Sequence, residues 1–318
     1  MRSSRLGIIA LITLTVLIGA NCSYYNRIIA RKNLVDGATA YKERKFGEAE
    51  NLFRATVEAD PNGETQEGKT ARVFLARTLH SRYISDRKQQ KLAEAAIEEY
   101  KKVLQTDLND QSSFKAVASL LENIDRKDES LQWVTERANN TNVKPEYRAE
   151  AFTSMAARKY SCANEISDVE PVKKTVKKDG KDVYQFTKPE NPDDYNRLKQ
   201  CTEEGIALID QALAVEPPEV QQMKNLDIKT LSIPQIQQKL DLLKIFSSAW
   251  SYKANLLYQK MRIAEMEGSE PEKETWKTRG DEARDVFKGL NDLEKSMEAE
   301  ITARKLAEQE EKANKNKK

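Results

Sequence analysis

The sequence predicts an all-α fold in which about five helix pairs stack into an array. Glycine and proline, which interrupt helices, are scarce at 11 and 9 of 318 residues. Charged residues make up 33% and hydrophobic residues 39% of the chain, so each helix must leave much of its surface in water. A pattern of small, aromatic and helix-ending residues also returns along the chain, which indicates an internal repeat.

The N-terminus has the composition of a targeting segment. Two arginines in residues 1–5 precede an uncharged, mostly apolar run from Leu6 to Ala20, which is short for a membrane span but suits a signal peptide. The end of this run and the two residues after it read LIGANC, which resembles a bacterial lipoprotein signal in which Cys22 is lipidated, although Asn21 departs from the usual small residue. We therefore assign residues 1–22 to a signal or membrane anchor. An uncleaved signal anchor and ordinary cleavage with secretion are the alternatives to a lipid anchor.

The first helix pair is predicted at residues 33–44 and 47–59. Gly37 and Ala49 are twelve residues apart and small enough to let two antiparallel helices approach closely. Phe53 would fill the space between the helices, and Pro61 would end the second one. The stretch thus contains the parts of a helical hairpin and no residue pattern typical of catalysis.

This spacing resembles the tetratricopeptide repeat, a unit of 34 residues that folds as two antiparallel helices. The matching residues of the first copy are Gly37, Phe46, Ala49, Phe53 and Pro61. The resemblance extends over residues 33–293 with insertions, and we assign residues 23–293 to the array. It implies a solenoid with a concave groove, and hence a protein or peptide partner.

Four further copies place small residues at helix contacts and larger apolar residues beside them. The packing positions predicted in these copies are Ala76, Ala96, Tyr100, Ala118, Gly205, Ile209, Ala254, Ala283 and Phe287. The two helices of the second copy are predicted at residues 71–84 and 95–110, and the third copy is predicted within residues 113–139. The first helix of the fourth copy is predicted at residues 145–160, and its second helix begins at Cys201. Another helix starts near Pro234, and the fifth pair is predicted to begin at Trp250.

An insertion of residues 163–200 interrupts the fourth repeat. Its Asp179-Gly180 pair is favoured in two-residue hairpin turns, and Val183, Tyr184 and Phe186 are strand-forming residues. We therefore expect a small projecting β-hairpin, with a disordered loop as the alternative.

Two cysteines flank this insertion. Cys162 is predicted at the end of one helix and Cys201 at the start of the next, and these ends are neighbours in an antiparallel pair. In an exported protein a disulfide would close the insertion at its base. The alternative is two buried free thiols.

The residue inventory argues against enzymatic chemistry, cofactors and nucleic acid. His80 is the only histidine, and no nucleotide-binding or nucleophile motif is found, so we expect no catalytic residue, cofactor or metal ligand. The net charge of +2 provides no basic field for nucleic acid.

The family pattern implies which side chains line the groove of the first three repeats. They are Leu34, Tyr41, Val73, Arg77, His80, Lys115 and Glu122. This mixed lining favours an apolar or amphipathic segment of a protein partner.

Together these features predict a non-enzymatic scaffold tethered to the bacterial cell envelope, with its soluble part in the periplasm. This architecture resembles that of the bacterial lipoproteins that assemble outer-membrane barrels and pili. A signal-anchored adaptor facing the cytosol, comparable to an import receptor, and a ligand-capturing lipoprotein are the alternatives. Residues 294–318 are predicted to extend the last helix as a charged tail, with disorder beyond Glu308.

Overall fold

The computed structural model describes residues 27–315, and the predicted signal segment and Cys22 lie outside the described residues. The described part is helical, apart from connecting turns and one two-stranded hairpin, so the predicted all-α fold is confirmed. It forms two compact units that divide between Leu131 and Gln132. Each unit is described by itself below.

The described helices follow one another as five pairs, with one short helix before the last pair. We number the first α1; it comprises the helical residues 27–42. The others are α2 (Phe46–Ala59), α3 (Gln66–Ser85), α4 (Gln90–Thr106), α5 (Gln111–Asn123), α6 (Lys127–Asn139), α7 (Pro145–Ser167), α8 (Pro192–Leu213), the short α9 (Pro218–Gln222), α10 (Ile233–Glu267) and α11 (Glu270–Lys315). The hairpin between α7 and α8 comprises β1 (Lys173–Lys178) and β2 (Lys181–Phe186).

In the first unit, the contact predicted between α1 and α2 is present. Gly37 is buried against Phe53, and a Cβ atom on Gly37 would lie 2.7 Å from Cε1 of the Phe53 ring. Phe53 is fully buried and stacks on Phe74 of α3 with ring centroids 5.4 Å apart. A residue without a side chain is therefore required where the two helices meet.

The core of the first unit continues through α3 and α4 along the predicted positions. Ala49, Ala76 and Ala96 are fully buried, and Tyr100 is 4% exposed. Ala118 of α5 is only half-buried, and its carbonyl accepts a hydrogen bond of 3.3 Å from the Ser130 hydroxyl. The alanines of α2, α3 and α4 are thus more completely buried than Ala118 of α5.

In the second unit, Gly205 of α8 allows close contact with two other helices. An added Cβ would lie 2.6 Å from Cδ2 of Leu256 in α10 and 3.2 Å from Cβ of Lys159 in α7. Ile209, one turn further along α8, is fully buried. The three helices thus pack around a glycine that the sequence pattern identifies.

The last pair differs from its prediction. Helix α10 begins after Ser232, which forms a reciprocal capping box with Gln235. It ends at Glu267, and the next residue, Gly268, has a left-handed φ of 75°. Trp250 therefore lies within a helix of 35 residues, and its prediction as the start of the fifth pair is wrong.

Helix α11 packs along α10. Ala254 and Ala283 belong to one apolar cluster, whereas Phe287 is half-buried. The helix continues to Lys315, past Glu308, where we expected disorder. Within residues 27–315, no helix combines the length and apolar character that a membrane span needs.

The predicted hairpin is confirmed. Asp179 and Gly180 connect its strands with φ values of 51° and 76°, the pair of positive angles that a two-residue turn of this type requires. At its base, Val172 and Phe186 are buried in a cluster with Leu198 and other side chains of α7, α8 and α10.

A disulfide joins Cys162 and Cys201, with Cα atoms 6.1 Å apart. The two cysteines do not mark helix ends, however, because α7 continues to Ser167 and α8 begins at Pro192. The disulfide therefore links two helices side by side, and the chain that emerges from them is shorter than the predicted insertion of residues 163–200.

Candidate functional site

The first unit contains an open cleft of about 950 Å³ where α1 ends and the second half of α3 passes it. Helices α1 and α3 each supply one face of the cleft, and the turn between α1 and α2 forms one side of it. The lining residues are Tyr41, Lys42, Arg44, Phe46, Arg77, His80, Ser81, Ile84, Ser85 and Tyr100. We call this set the first-unit cleft.

Aromatic side chains hold the floor of the cleft in place. The Tyr41 ring makes edge contacts with Phe46 and Phe74, with centroid distances of 5.5 and 6.0 Å. Its hydroxyl is 3.1 Å from Oγ of Ser81, which fixes the ring against α3. Ile84, one helical turn from His80, remains 46% exposed and adds aliphatic surface. The cleft thus offers a fixed apolar floor with hydroxyl groups at its edge.

The charged side chains that line the cleft are all cationic. Lys42, Arg44 and Arg77 are exposed, and the Arg77 guanidinium lies 5.7 Å from the centroid of the Phe74 ring. Glu43, the carboxylate beside them in the chain, is outside the lining and lies 2.8 Å from Nζ of Lys45. This arrangement favours a ligand that combines apolar groups with negative charge.

His80 and Tyr100 form a neutral pair at one side of the cleft. Nδ1 of His80 is 3.4 Å from the Tyr100 hydroxyl, and the rings contact edge to face at 6.1 Å. Burial lowers the pKa of His80 and raises the pKa of Tyr100, because it disfavours the charged form of each. Near pH 7 both side chains are therefore uncharged, and the cationic character of the cleft comes from lysine and arginine.

Three of the seven predicted groove residues line this cleft. They are Tyr41, Arg77 and His80. The other four predicted residues are not part of the lining of this cleft, and their place in a groove stays a prediction; they are Leu34, Val73, Lys115 and Glu122. Of these, Glu122 accepts a hydrogen bond of 3.2 Å from Ser130.

Several lining residues were missed by the sequence analysis. Ser81 and Ile84 lie four and seven residues after Arg77, so helical spacing places all three on one face of α3 and could have identified them. Arg44 has a left-handed φ of 59° in the turn after α1, a conformation that no periodic pattern indicates. In residues 27–315, no group of three or more His, Cys, Asp or Glu side chains could hold a metal ion.

Comparisons with known proteins do not identify a family. No family model matches the chain, and no curated protein matches it significantly. A solved structure described as the functional characterization of Pseudomonas aeruginosa pilF aligns with 79% of this chain and 90% of that chain. The two are 15% identical and superpose with a TM-score of 0.31, which is too low to support an argument about fold or function.

Proposed function

We propose that the protein is a non-enzymatic interaction scaffold of the bacterial cell envelope, whose first unit binds a segment of a partner protein. The observation that carries this proposal is the first-unit cleft. It has an open aromatic floor, and every charged side chain in its lining is cationic. Helix pairs that expose such a surface bind proteins by shape and charge and need no reactive group.

The chemistry of the cleft also indicates the partner's segment. Tyr41, Phe46 and Ile84 would contact its apolar side chains, and Lys42 and Arg77 would face carboxylates. An amphipathic segment with acidic residues satisfies both requirements. The sequence alone led us to expect an amphipathic ligand. The cationic side chains of the cleft lead us to expect that this ligand is also negatively charged.

Two labelled amphipathic peptides with the same apolar residues test this proposal, one with glutamate and one with lysine at its polar positions. We expect the acidic peptide to bind at least about tenfold more tightly in a fluorescence polarisation titration, because several exposed charge pairs act together. The K42E/R77E variant should lose this preference.

The matched control for this titration is K305E/K312E, which makes the same charge change at exposed positions of α11. The control should bind both peptides as the wild-type chain does. Equal affinity for the two peptides, or an unchanged preference in K42E/R77E, would rule out the cleft as the site.

The envelope location rests on the N-terminal sequence and on the disulfide. A disulfide between Cys162 and Cys201 is typical of exported proteins, because cytosolic thiols are kept reduced. Lipidation at Cys22 would hold the chain at a membrane without a spanning helix.

Labelling with a palmitate analogue in bacterial cells tests the lipid anchor. We expect the wild-type chain to incorporate the label and C22S to lose it, while C162S should keep it. If the wild-type chain remains unlabelled, Cys22 is not lipidated, and the signal-anchored and secreted alternatives replace this part of the proposal.

A further inference from the structure

The outward face of the hairpin is basic. The register aligns Val176 with Val183 and Lys178 with Lys181, and residues directly opposite each other share a face of the sheet. With Lys174 and Gln185, these residues make up a surface that we call the lysine face. Its three lysines are exposed, and it contains no carboxylate, since Asp182 pairs with Lys177 on the other face.

The base of the other face packs against α10. Phe186 is buried with Ile263 and Met266, and the Arg262 guanidinium lies 4.6 Å from the centroid of its ring. The amide N–H of Phe186 also donates to Oε1 of Glu265 over 3.4 Å. At the base of the hairpin the lysine face is therefore directed away from α10. Nearer the turn both faces are exposed, since Tyr184 on the Phe186 face is 61% exposed.

A groove of about 310 Å³ lies at the base of the hairpin, between the end of α7 and the start of α8. Its apolar lining includes Val169, which is 47% exposed, and Pro171. Three carboxylates, those of Glu165, Glu190 and Asp194, also line it. The single basic residue of this lining is Arg197, whose guanidinium is 3.4 Å from Asp194. We call this surface the acidic groove.

The acidic groove lies at the base of the strand that carries the lysine face. Val172 lines the groove and lies two residues before Lys174, and no residue of α10 contributes to the groove. A strand of six residues spans about 20 Å, so the two charged ends are separated by more than the screening length of roughly 8 Å at physiological salt. The opposite charges therefore do not neutralise each other within one molecule.

We propose that this surface binds the same surface of a second copy of the chain. A two-fold axis between the lysine face and the acidic groove produces two equivalent contacts. In each contact, Lys178 and Lys181 of one copy face two carboxylates of the other copy. These carboxylates are those of Glu165 and Glu190. Such an isologous contact needs a self-complementary surface, and this one has its opposite charges at opposite ends. Valines of the hairpin would then cover the apolar lining of the groove.

The carboxylates decide between this occupant and an anionic lipid surface. A bilayer would attract the lysine face, but it would repel the carboxylates of Glu165 and Glu190 in the groove at the base of the same hairpin. A second copy satisfies both charged ends and buries the exposed Val169. The second copy is therefore the occupant that the whole surface fits.

Complementary charge reversals test the proposal on the whole 318-residue chain in mild detergent. One variant is K178E/K181E and the other is E165K/E190K. Sedimentation equilibrium should show self-association of the wild-type chain that weakens with salt, and each variant should self-associate at least about tenfold less tightly. An equimolar mixture of the two variants, carrying different affinity tags, should form mixed dimers.

The K305E/K312E variant controls for the change in net charge, and it should self-associate as the wild-type chain does. Thermal melts by circular dichroism verify that all variants are folded. A monomeric wild-type chain, reversals that behave like the control, or a mixture that fails to form mixed dimers would each overturn the proposal. Capture of the monomer by anionic vesicles, lost in K178E/K181E, would overturn it in favour of a lipid surface.

Discussion

Replacing both disulfide cysteines, in C162S/C201S, should lower the free energy of unfolding of the second unit by about 4 kcal/mol. The bond closes a loop with a sequence separation of 39 residues, and the chain-entropy relation gives about 4 kcal/mol for a loop of this size. Cys201 is also 7% exposed and packs with Ile166 and Leu198, so serine would place a hydroxyl in an apolar cluster. Both effects destabilise the same unit.

Tryptophan fluorescence during urea denaturation measures this change in the second unit alone. The three tryptophans of the chain, Trp133, Trp250 and Trp276, all belong to that unit. The oxidised wild-type chain should unfold at the highest urea concentration, and the reduced chain and C162S/C201S should unfold at similar, lower concentrations. A reductant should not affect the variant.

The C22S variant is the matched control for this measurement, because it removes a cysteine that the bond does not use. It should respond to the reductant as the wild-type chain does. Equal midpoints for the oxidised wild-type chain and C162S/C201S would contradict the predicted contribution. Thiol counting under denaturing, non-reducing conditions separates the two compartments. Export is indicated if Cys162 and Cys201 give no free thiol, and a reducing cytosol if both react as free thiols.

Helix pairs and the hairpin could be predicted because local residues determine them. Gly37 and Phe53 meet as their spacing requires, and Asp179-Gly180 forms the turn that its backbone angles favour. The length of α10 could not be predicted in the same way. Its apolar positions continue in phase past Phe246 into Ala254, and no glycine or proline lies between Gln235 and Glu267. A pattern made for two shorter helices therefore fits one long helix equally well.

The first-unit cleft was predicted only in part because it lies at the ends of helices. The repeat pattern assigns residues to helix faces, and the Arg77 and His80 that it selects on α3 line the same cleft as Tyr41 of α1. It contains no information about the turn between α1 and α2, where Arg44 adopts a left-handed conformation. Surfaces built from turns depend on backbone angles that a single sequence does not specify.

Replacing Phe53 by alanine should destabilise the first unit by about 3–5 kcal/mol, the usual cost of removing a fully buried phenylalanine. The ring contacts Gly37 on one side and stacks on Phe74 on the other, so neighbouring helices cannot easily close the cavity. Hydrogen exchange followed by mass spectrometry, on peptides from α1 to α3, measures the change. Exchange in the second unit, from α7 to α11, should remain as in the wild-type chain.

A double-mutant cycle between Gly37 and Phe53 tests whether the glycine is required by this contact. A Cβ at residue 37 would lie 2.7 Å from the Phe53 ring, so G37A should cost about 1–3 kcal/mol through overpacking, offset in part by the higher helix propensity of alanine. In the F53A background the added methyl group has space, and the same substitution should be neutral or stabilising. The matched control is G47A, which makes the same chemical change at an exposed position of α2 with no atom within 4 Å of the added Cβ. If G37A costs the same with and without the Phe53 ring, or no more than G47A, then the glycine does not serve the approach of α1 and α2, and the repeat interpretation of this pair fails.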